Sequence, residues 1–162
     1  HLAEFLHKAG AQLVVADVNA DKVARAQAEL KARAVGVNEI LSVQADVLAP
    51  CALGAVLNAQ SIPAIQAKLI AGAANNQLAT VADGDALQAR GITYLPDYLV
   101  NAGGIVSVAR EFRNEGEESK VMAEVSEIRG RVAELLERIK VSGNTPGREA
   151  DAWARSKLVK PV

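Results

Sequence analysis

Leu13-Val14-Val15-Ala16-Asp17 is short, apolar and rich in valine, with Gly10 just before it and an acidic residue at its end. A run of this length between turn residues reads as a strand buried on both faces of a parallel sheet. Upstream, Leu2, Phe5, Leu6 and Ala9 recur at helical spacing, and Gly10 stands where a helix ends. That helix opens at His1 without a capping residue, so it reads as the later turns of one that starts earlier. No basic stretch precedes an apolar one, which argues against a signal peptide. Downstream, Asn19 or Asp21 can cap a helix over 22–31, whose partly apolar face is Val23, Ala26, Ala28 and Leu30.

The same alternation continues. Ala34-Val35 predicts a brief strand, and 39–45 fits no single class. Asp46-Val47-Leu48-Ala49 predicts a buried strand stopped by Pro50. Ser61 and Pro63 suggest a helix start. Residues 68–73 predict a further strand, followed by the polar turn Asn75-Asn76. A helix over 83–90 closes at Gly91, and Ile92-Thr93-Tyr94-Leu95 is a strand stopped by Pro96. Strands and helices at such short intervals give the βαβ rhythm of an α/β, doubly wound parallel sheet. The remainder is helical, over 104–113 and 117–141. The second of these carries the stripe Val121, Val125, Ile128, Val132, Leu135 and Ile139. After a turn at 142–147, Thr145 caps a last helix through about Leu158, with Pro146 in its first position.

The totals suit one soluble domain. Half of the 162 residues are hydrophobic, 23% are charged, and the formal net charge is −1. No basic excess points to nucleic acid, and no apolar run approaches the ~18 residues of a membrane-spanning helix. Aromatic residues make up 3%, so the core is built from Ala, Val, Leu and Ile. Cys51 is the lone cysteine, so no internal disulfide forms, which fits a reducing cytoplasm. No spacing of ligands suggests a metal.

Asp17 has two readings. In a Rossmann-type dinucleotide fold, an acidic residue at this strand end accepts hydrogen bonds from the adenosine ribose and disfavours a 2′-phosphate, which selects NAD over NADP. Alternatively it caps the turn at a strand end, as aspartate often does. The G-x-G-x-x-G loop and first strand that should precede it are absent, because the chain opens inside the helix that would follow them. Gly103-Gly104 is no substitute. Ligands of this fold bind outside the carboxyl ends of the strands. Those ends are Asp17-Val18, Ala49-Pro50-Cys51-Ala52 and Ala73-Ala74-Asn75-Asn76, where small residues let a flat cofactor approach. The asparagine pair offers donors and acceptors, or it simply forms a turn. Cys51 reads more readily as a small packed residue than as a nucleophile. Neither histidine has a partner pattern.

Three segments together resemble the leucine, valine and phenylalanine dehydrogenases of the wider glutamate dehydrogenase-like superfamily. They are residues 46–55 (DVLAPCALGA), 70–78 (IAGAANNQL) and 94–104 (YLPDYLVNAGG). The resemblance implies a Rossmann-type domain over 1–115, lacking its first strand and glycine loop. A helical segment over 116–162 would pack back on it or toward a missing N-terminal catalytic domain. The implied reaction is NAD-dependent oxidative deamination of an apolar L-amino acid to its 2-oxo acid and ammonia. Leucine or valine suits the apolar pair Ile105 and Val108 first, with phenylalanine close behind. By position, Asp17 and Val18 would meet the adenosine ribose, and Ala49 and Pro50 the cofactor groove. Ala74 and Asn75 would lie at the nicotinamide. Asn75, Asn101, Ile105 and Val108 would face the substrate. No Lys or Asp here matches the family's catalytic motifs, so no catalytic residue is assigned. The family also implies a homo-oligomer, with no nucleic acid and no membrane partner. Two departures stand out: Arg110, where many members carry an acidic residue, and Leu95, where the family usually has Ala.

In the 3-2-1-4-5-6 strand order the absent strand is central. Its loss would leave unpaired backbone on both flanks, so the isolated chain is expected to be poorly stable. Fold alone is also compatible with a non-catalytic nucleotide-binding or regulatory module, or with another Rossmann oxidoreductase.

Overall fold

A computed structural model describes residues 1–158. Positions 159–162 of the expected helical segment lie outside the described residues. The chain divides into two compact units, His1–Gln44 and Ala45–Val162.

The first unit holds helix α1 (Leu2–Lys8), strand β1 (Val14–Val15), helix α2 (Ala20–Leu30) and strand β2 (Arg33–Ala34). β1 and β2 run parallel, Val14 beside Arg33 and Val15 beside Ala34. Of the two caps considered for α2, Asn19 is the one used: its Oδ1 accepts from Lys22 N at 3.1 Å. The helix ends at Lys31 in the left-handed conformation, φ 54. α1 packs on α2, with Arg25 reaching Glu4 at 3.6 Å. Burial is sparse, because Ala32 is the only buried hydrophobic residue in this unit and Phe5 stays 69% exposed. The ambiguous segment 39–45 forms a single 3₁₀ turn, Ile40–Ser42.

The second unit is built on three parallel strands: β3 (Val47–Leu48), β4 (Leu69–Ile70) and β5 (Thr93–Tyr94), in the order β3-β4-β5. Leu69 sits beside both Val47 and Thr93. Each strand is shorter than its apolar run, since pairing stops where the chain turns toward the loops; at β3 the stop is Pro50, which has no N–H to donate. Helix α3 (Val81–Ala89) begins two residues earlier than expected. Thr80 and Asp83 form a capping box there, and Asp83 Oδ2 accepts from Thr80 N at 2.8 Å. The start expected at Ser61 gives only a 3₁₀ turn, Ile62–Ala64. Around the sheet, Leu57, Ile62, Ile65, Ile70, Leu87 and Ile92 form the main core. These are aliphatic, and Tyr94 is the aromatic member of the same cluster.

The helical remainder comprises α4 (Asp97–Val100), α5 (Gly103–Phe112), α6 (Glu118–Ser126), α7 (Ile128–Ser142) and α8 (Pro146–Leu158). The single helix expected over 117–141 is therefore two. Near the break, Ser126 Oγ donates to Met122 O at 2.7 Å, and Glu127 N turns to Glu124 O at 3.1 Å, tightening the last turn. The apolar stripe runs on across the break, and Leu135 is its fully buried member. At the start of α8, Thr145 Oγ1 accepts from Arg148 N at 3.3 Å. α8 lays Trp153 and Ala150 against Leu135, while the Arg138 guanidinium and the Lys157 ammonium stand 4.8 Å and 4.4 Å from the indole centroid. Among the described residues, no helix is long and apolar enough to cross a membrane.

Candidate functional site

The loops that leave β3, β4 and β5 are tied into one junction. Ala74 N donates to Pro50 O at 3.0 Å, joining the first two. Their approach is close enough that only glycine fits at position 72. A Cβ there would lie 2.1 Å from Pro50 O and 2.5 Å from Pro50 N. Gly54 is similarly placed, with a Cβ falling 2.9 Å from Asn75 O. The β5 loop joins through Asn101, whose Nδ2 donates to Ala73 O at 2.7 Å and to Asn75 Oδ1 at 2.8 Å. Asp97 adds a second tie, its carboxylate accepting the backbone N–H of Asn76. Asn76 adopts φ 52, and its carbonyl accepts from Ala55 N at 2.7 Å, with Ala55 itself at φ 56. Non-glycine residues enter this region at a cost of about 1–2 kcal/mol each, so the junction holds backbone strain.

Beneath the junction lies Gln77, fully buried. Its Nε2 donates to Gly72 O at 2.8 Å and Ala74 O at 2.9 Å, which fixes the turn carrying Ala74 and Asn75. Its Oε1 finds no partner among the described residues. Tyr94 is buried at the end of β5, and burial pushes its phenol well above the ordinary range. The hydroxyl therefore stays protonated and lies 3.3 Å from Asp97 Oδ1. A cleft of about 520 Å³ adjoins this network, lined in part by Asn76, Tyr94, Asp97, Tyr98, Arg148 and Asp151.

These bonds dictate what the asparagines can offer. Asn101 spends its amide donors within the junction and keeps its Oδ1. Asn75 has its Oδ1 engaged and keeps its Nδ2. The pair thus presents one donor and one acceptor side by side, a set that suits a carboxamide, or a carboxylate next to an amine.

Asn75 and Asn101, distant in sequence, are in direct contact, and Pro50 and Ala74 meet at the same junction, with Ala49 preceding Pro50 in the chain. Ala74 is buried at 5% exposure, and its backbone N–H and carbonyl are both engaged, so it has only packing to offer. Ile105 and Val108 lie on α5, 66% and 60% exposed. Asp17 and Val18 belong to the first unit. Asp17 Oδ1 accepts from Asn19 N at 2.9 Å, which is the turn-capping geometry, while Oδ2 takes no hydrogen bond among the described residues. Val18 is 92% exposed. Sequence reasoning assigned nothing to Gln77 or Asp97. Gln77 follows the asparagine pair and passes for another turn residue. Asp97 follows Pro96, where an acidic residue opening a short helix was the available signal.

Residues 5–150 match the Glutamate/Leucine/Phenylalanine/Valine dehydrogenase family. The chain belongs to this family. Every candidate residue from Asp17 to Val108 lies inside the match. Among its relatives, the leucine dehydrogenase of Bacillus cereus is 42% identical over 98% of this chain. That of Geobacillus stearothermophilus is 46% identical over 79% of it. In structure, the L-tryptophan dehydrogenase from Nostoc punctiforme superposes with a TM-score of 0.93 at 37% identity over 97% of the chain. The chain spans less than half of these relatives: 43% and 35% of the two leucine dehydrogenases and 48% of the tryptophan enzyme.

Proposed function

We propose that this chain is the cofactor-binding part of an NAD-dependent dehydrogenase that deaminates an apolar L-amino acid, leucine or valine first and phenylalanine next. The observation that carries this reading is the Asn75–Asn101 pair, held at the ends of β4 and β5 with an exposed apolar helix face one turn beyond it. The donor and acceptor left on the pair suit the polar end of an amino acid or the carboxamide of a nicotinamide. Ile105 and Val108 suit an aliphatic side chain and offer glutamate no cationic partner. The named relatives, leucine and L-tryptophan dehydrogenases, also act on apolar side chains.

The strand pattern supports a Rossmann-type reading over 1–115. Two parallel sheets, β1-β2 and β3-β4-β5, are what the order 3-2-1-4-5-6 leaves when its strand 1 lies outside the chain. Residues 116–162 would then be the family's C-terminal helical segment. The residues present fit NAD. Asp17 has an unengaged carboxylate oxygen at a strand end, suited to a ribose diol, and Val18 lies open beside it. Ala49, Pro50 and Ala74 bring little side-chain bulk to the β3–β4 end. NAD when bound would supply the hydride acceptor. The chain's own part would be to orient it, with Asp17 at the ribose, Asn75 at the nicotinamide, and Ala49, Pro50 and Ala74 lining the groove. No group here is assigned to proton transfer, which would fall to residues of a catalytic domain outside this chain.

The test is an NAD-reduction assay on the full-length gene product with leucine, valine, phenylalanine and glutamate. Turnover is expected with an apolar substrate and not with glutamate. Asp17→Ala should weaken NAD binding roughly tenfold to hundredfold, the worth of a charge-assisted hydrogen bond. A folded protein that binds NAD yet turns over none of the four would leave a nucleotide-binding module instead.

A further inference from the structure

Resting on that function, we propose that Arg110 is a positioning residue that holds the α5 face bearing Ile105 and Val108, and so sets which apolar side chain the site prefers. Helix α5 is loosely founded, with Val106 as its only buried residue. The segment that follows it, 113–117, is exposed throughout. α5 packs on α6. At the start of α5, a Cβ on Gly103 would lie 3.8 Å from Val125 Cγ2. Near its end, Arg110 Nε donates to Glu124 Oε2 at 2.8 Å, with the arginine and glutamate side chains 26% and 32% exposed. Arg110 thereby lands on the residue next to Val125. Its other arm reaches Glu115 Oε2 at 3.3 Å, and its carbonyl accepts from Glu115 N at 2.9 Å, so the same residue also pins the exposed segment.

Arg110 works from the far side of the helix. It follows Ile105 by a rotation of about 140° and Val108 by about 200°, so it cannot touch a ligand resting on their face. Its influence on such a ligand is through where α5 sits. That position matters because one methylene changes discrimination in an apolar pocket by roughly 10–200-fold, so a small displacement of the wall alters preference. A guanidinium bridging two carboxylates fixes the helix end it stands on, because its donors are directional.

The experiment uses the full-length protein and compares kcat/KM for leucine and phenylalanine, with the KM for NAD as internal reference. R110A and E124A should each change the leucine-to-phenylalanine ratio by roughly threefold or more, in the same direction, with the KM for NAD unmoved. R110A/E124A should shift the ratio no further than either alone, as coupled partners do. If R110A does not fold, R110Q and E124Q carry the same comparison. Variants that melt lower but keep the ratio would overturn the proposal, leaving the arginine a purely structural brace. Additive shifts in the double variant would overturn it too. An unsubstituted protein silent on every apolar amino acid would sink the proposed function first, and this inference with it.

Discussion

Gly72→Ala adds one methyl group where the β4 loop crosses the β3 loop. That Cβ would stand 2.1 Å from Pro50 O, 2.5 Å from Pro50 N and 2.7 Å from Pro50 Cδ. The obstacles are backbone and a proline ring, so no side chain can swing away. The two loops must part by about 0.9 Å before the nearest contact reaches 3.0 Å. That parting breaks the Ala74 N to Pro50 O bond, now 3.0 Å. It also strains the bonds from Gln77 Nε2 to Gly72 O and Ala74 O. Overpacking of this kind costs about 1–3 kcal/mol, and a lost buried hydrogen bond about 1 kcal/mol more. The sum, ~2–4 kcal/mol, corresponds to a fall in Tm of roughly 5–15 °C for a domain this size. Differential scanning calorimetry of the full-length protein measures it, with Gly130→Ala as control. A Cβ at Gly130 meets nothing within 4 Å, and that site in the first turn of α7 should gain at most ~1 kcal/mol. Gly72→Ala melting with the parent would refute the claim that the loops touch through this residue.

Further expectations concern other parts of the same framework. Gln77→Leu removes an orphan acceptor but strips two buried carbonyls of their donor, so the urea midpoint should fall by the equivalent of ~1–3 kcal/mol; Gln77→Glu, which aims a carboxylate at those carbonyls, should fall further. Tyr94 has a folded pKa raised by burial, so its contribution is complete below the unfolded value near ~10 and is lost as pH rises above it. Thermal melts from about pH 8 to about pH 11 should show Tyr94→Phe less sensitive to alkali than the parent. Amide exchange in the 162-residue chain should be fast across β1 and β2, where Ala32 alone is buried, and slow at Ile70 and Tyr94; equal protection would contradict the sparse packing of the first unit.

Strand positions were legible because valine-rich runs between glycine and proline leave few other readings. Their lengths were not, because Leu13 and Ala16 look as strand-like as Val14 and Val15 while pairing depends on a neighbour the sequence does not name. The break at Glu127 is invisible in the apolar pattern for a related reason. Val125, Ile128 and Val132 keep helical spacing across it, and the change lies in backbone bonding. At the junction, Asn75 and Asn101 were singled out by resemblance, but their direct contact is a tertiary fact that spacing does not encode. Gln77 was hidden because a polar residue after two asparagines gives no hint of burial. The capping box at Thr80 and Asp83 is the opposite case, a local pattern that the sequence itself carries.

The indole of Trp153 is the chain's only one, and it is seated between α7 and α8 with a cation on either side. Ultraviolet emission from this polypeptide is therefore a local gauge of how those two helices are docked. Loosening of α8 would redden the emission while circular dichroism still recorded intact helices elsewhere. A melt followed by both signals would separate peeling of the C-terminal helices from collapse of the sheet, with no label to introduce.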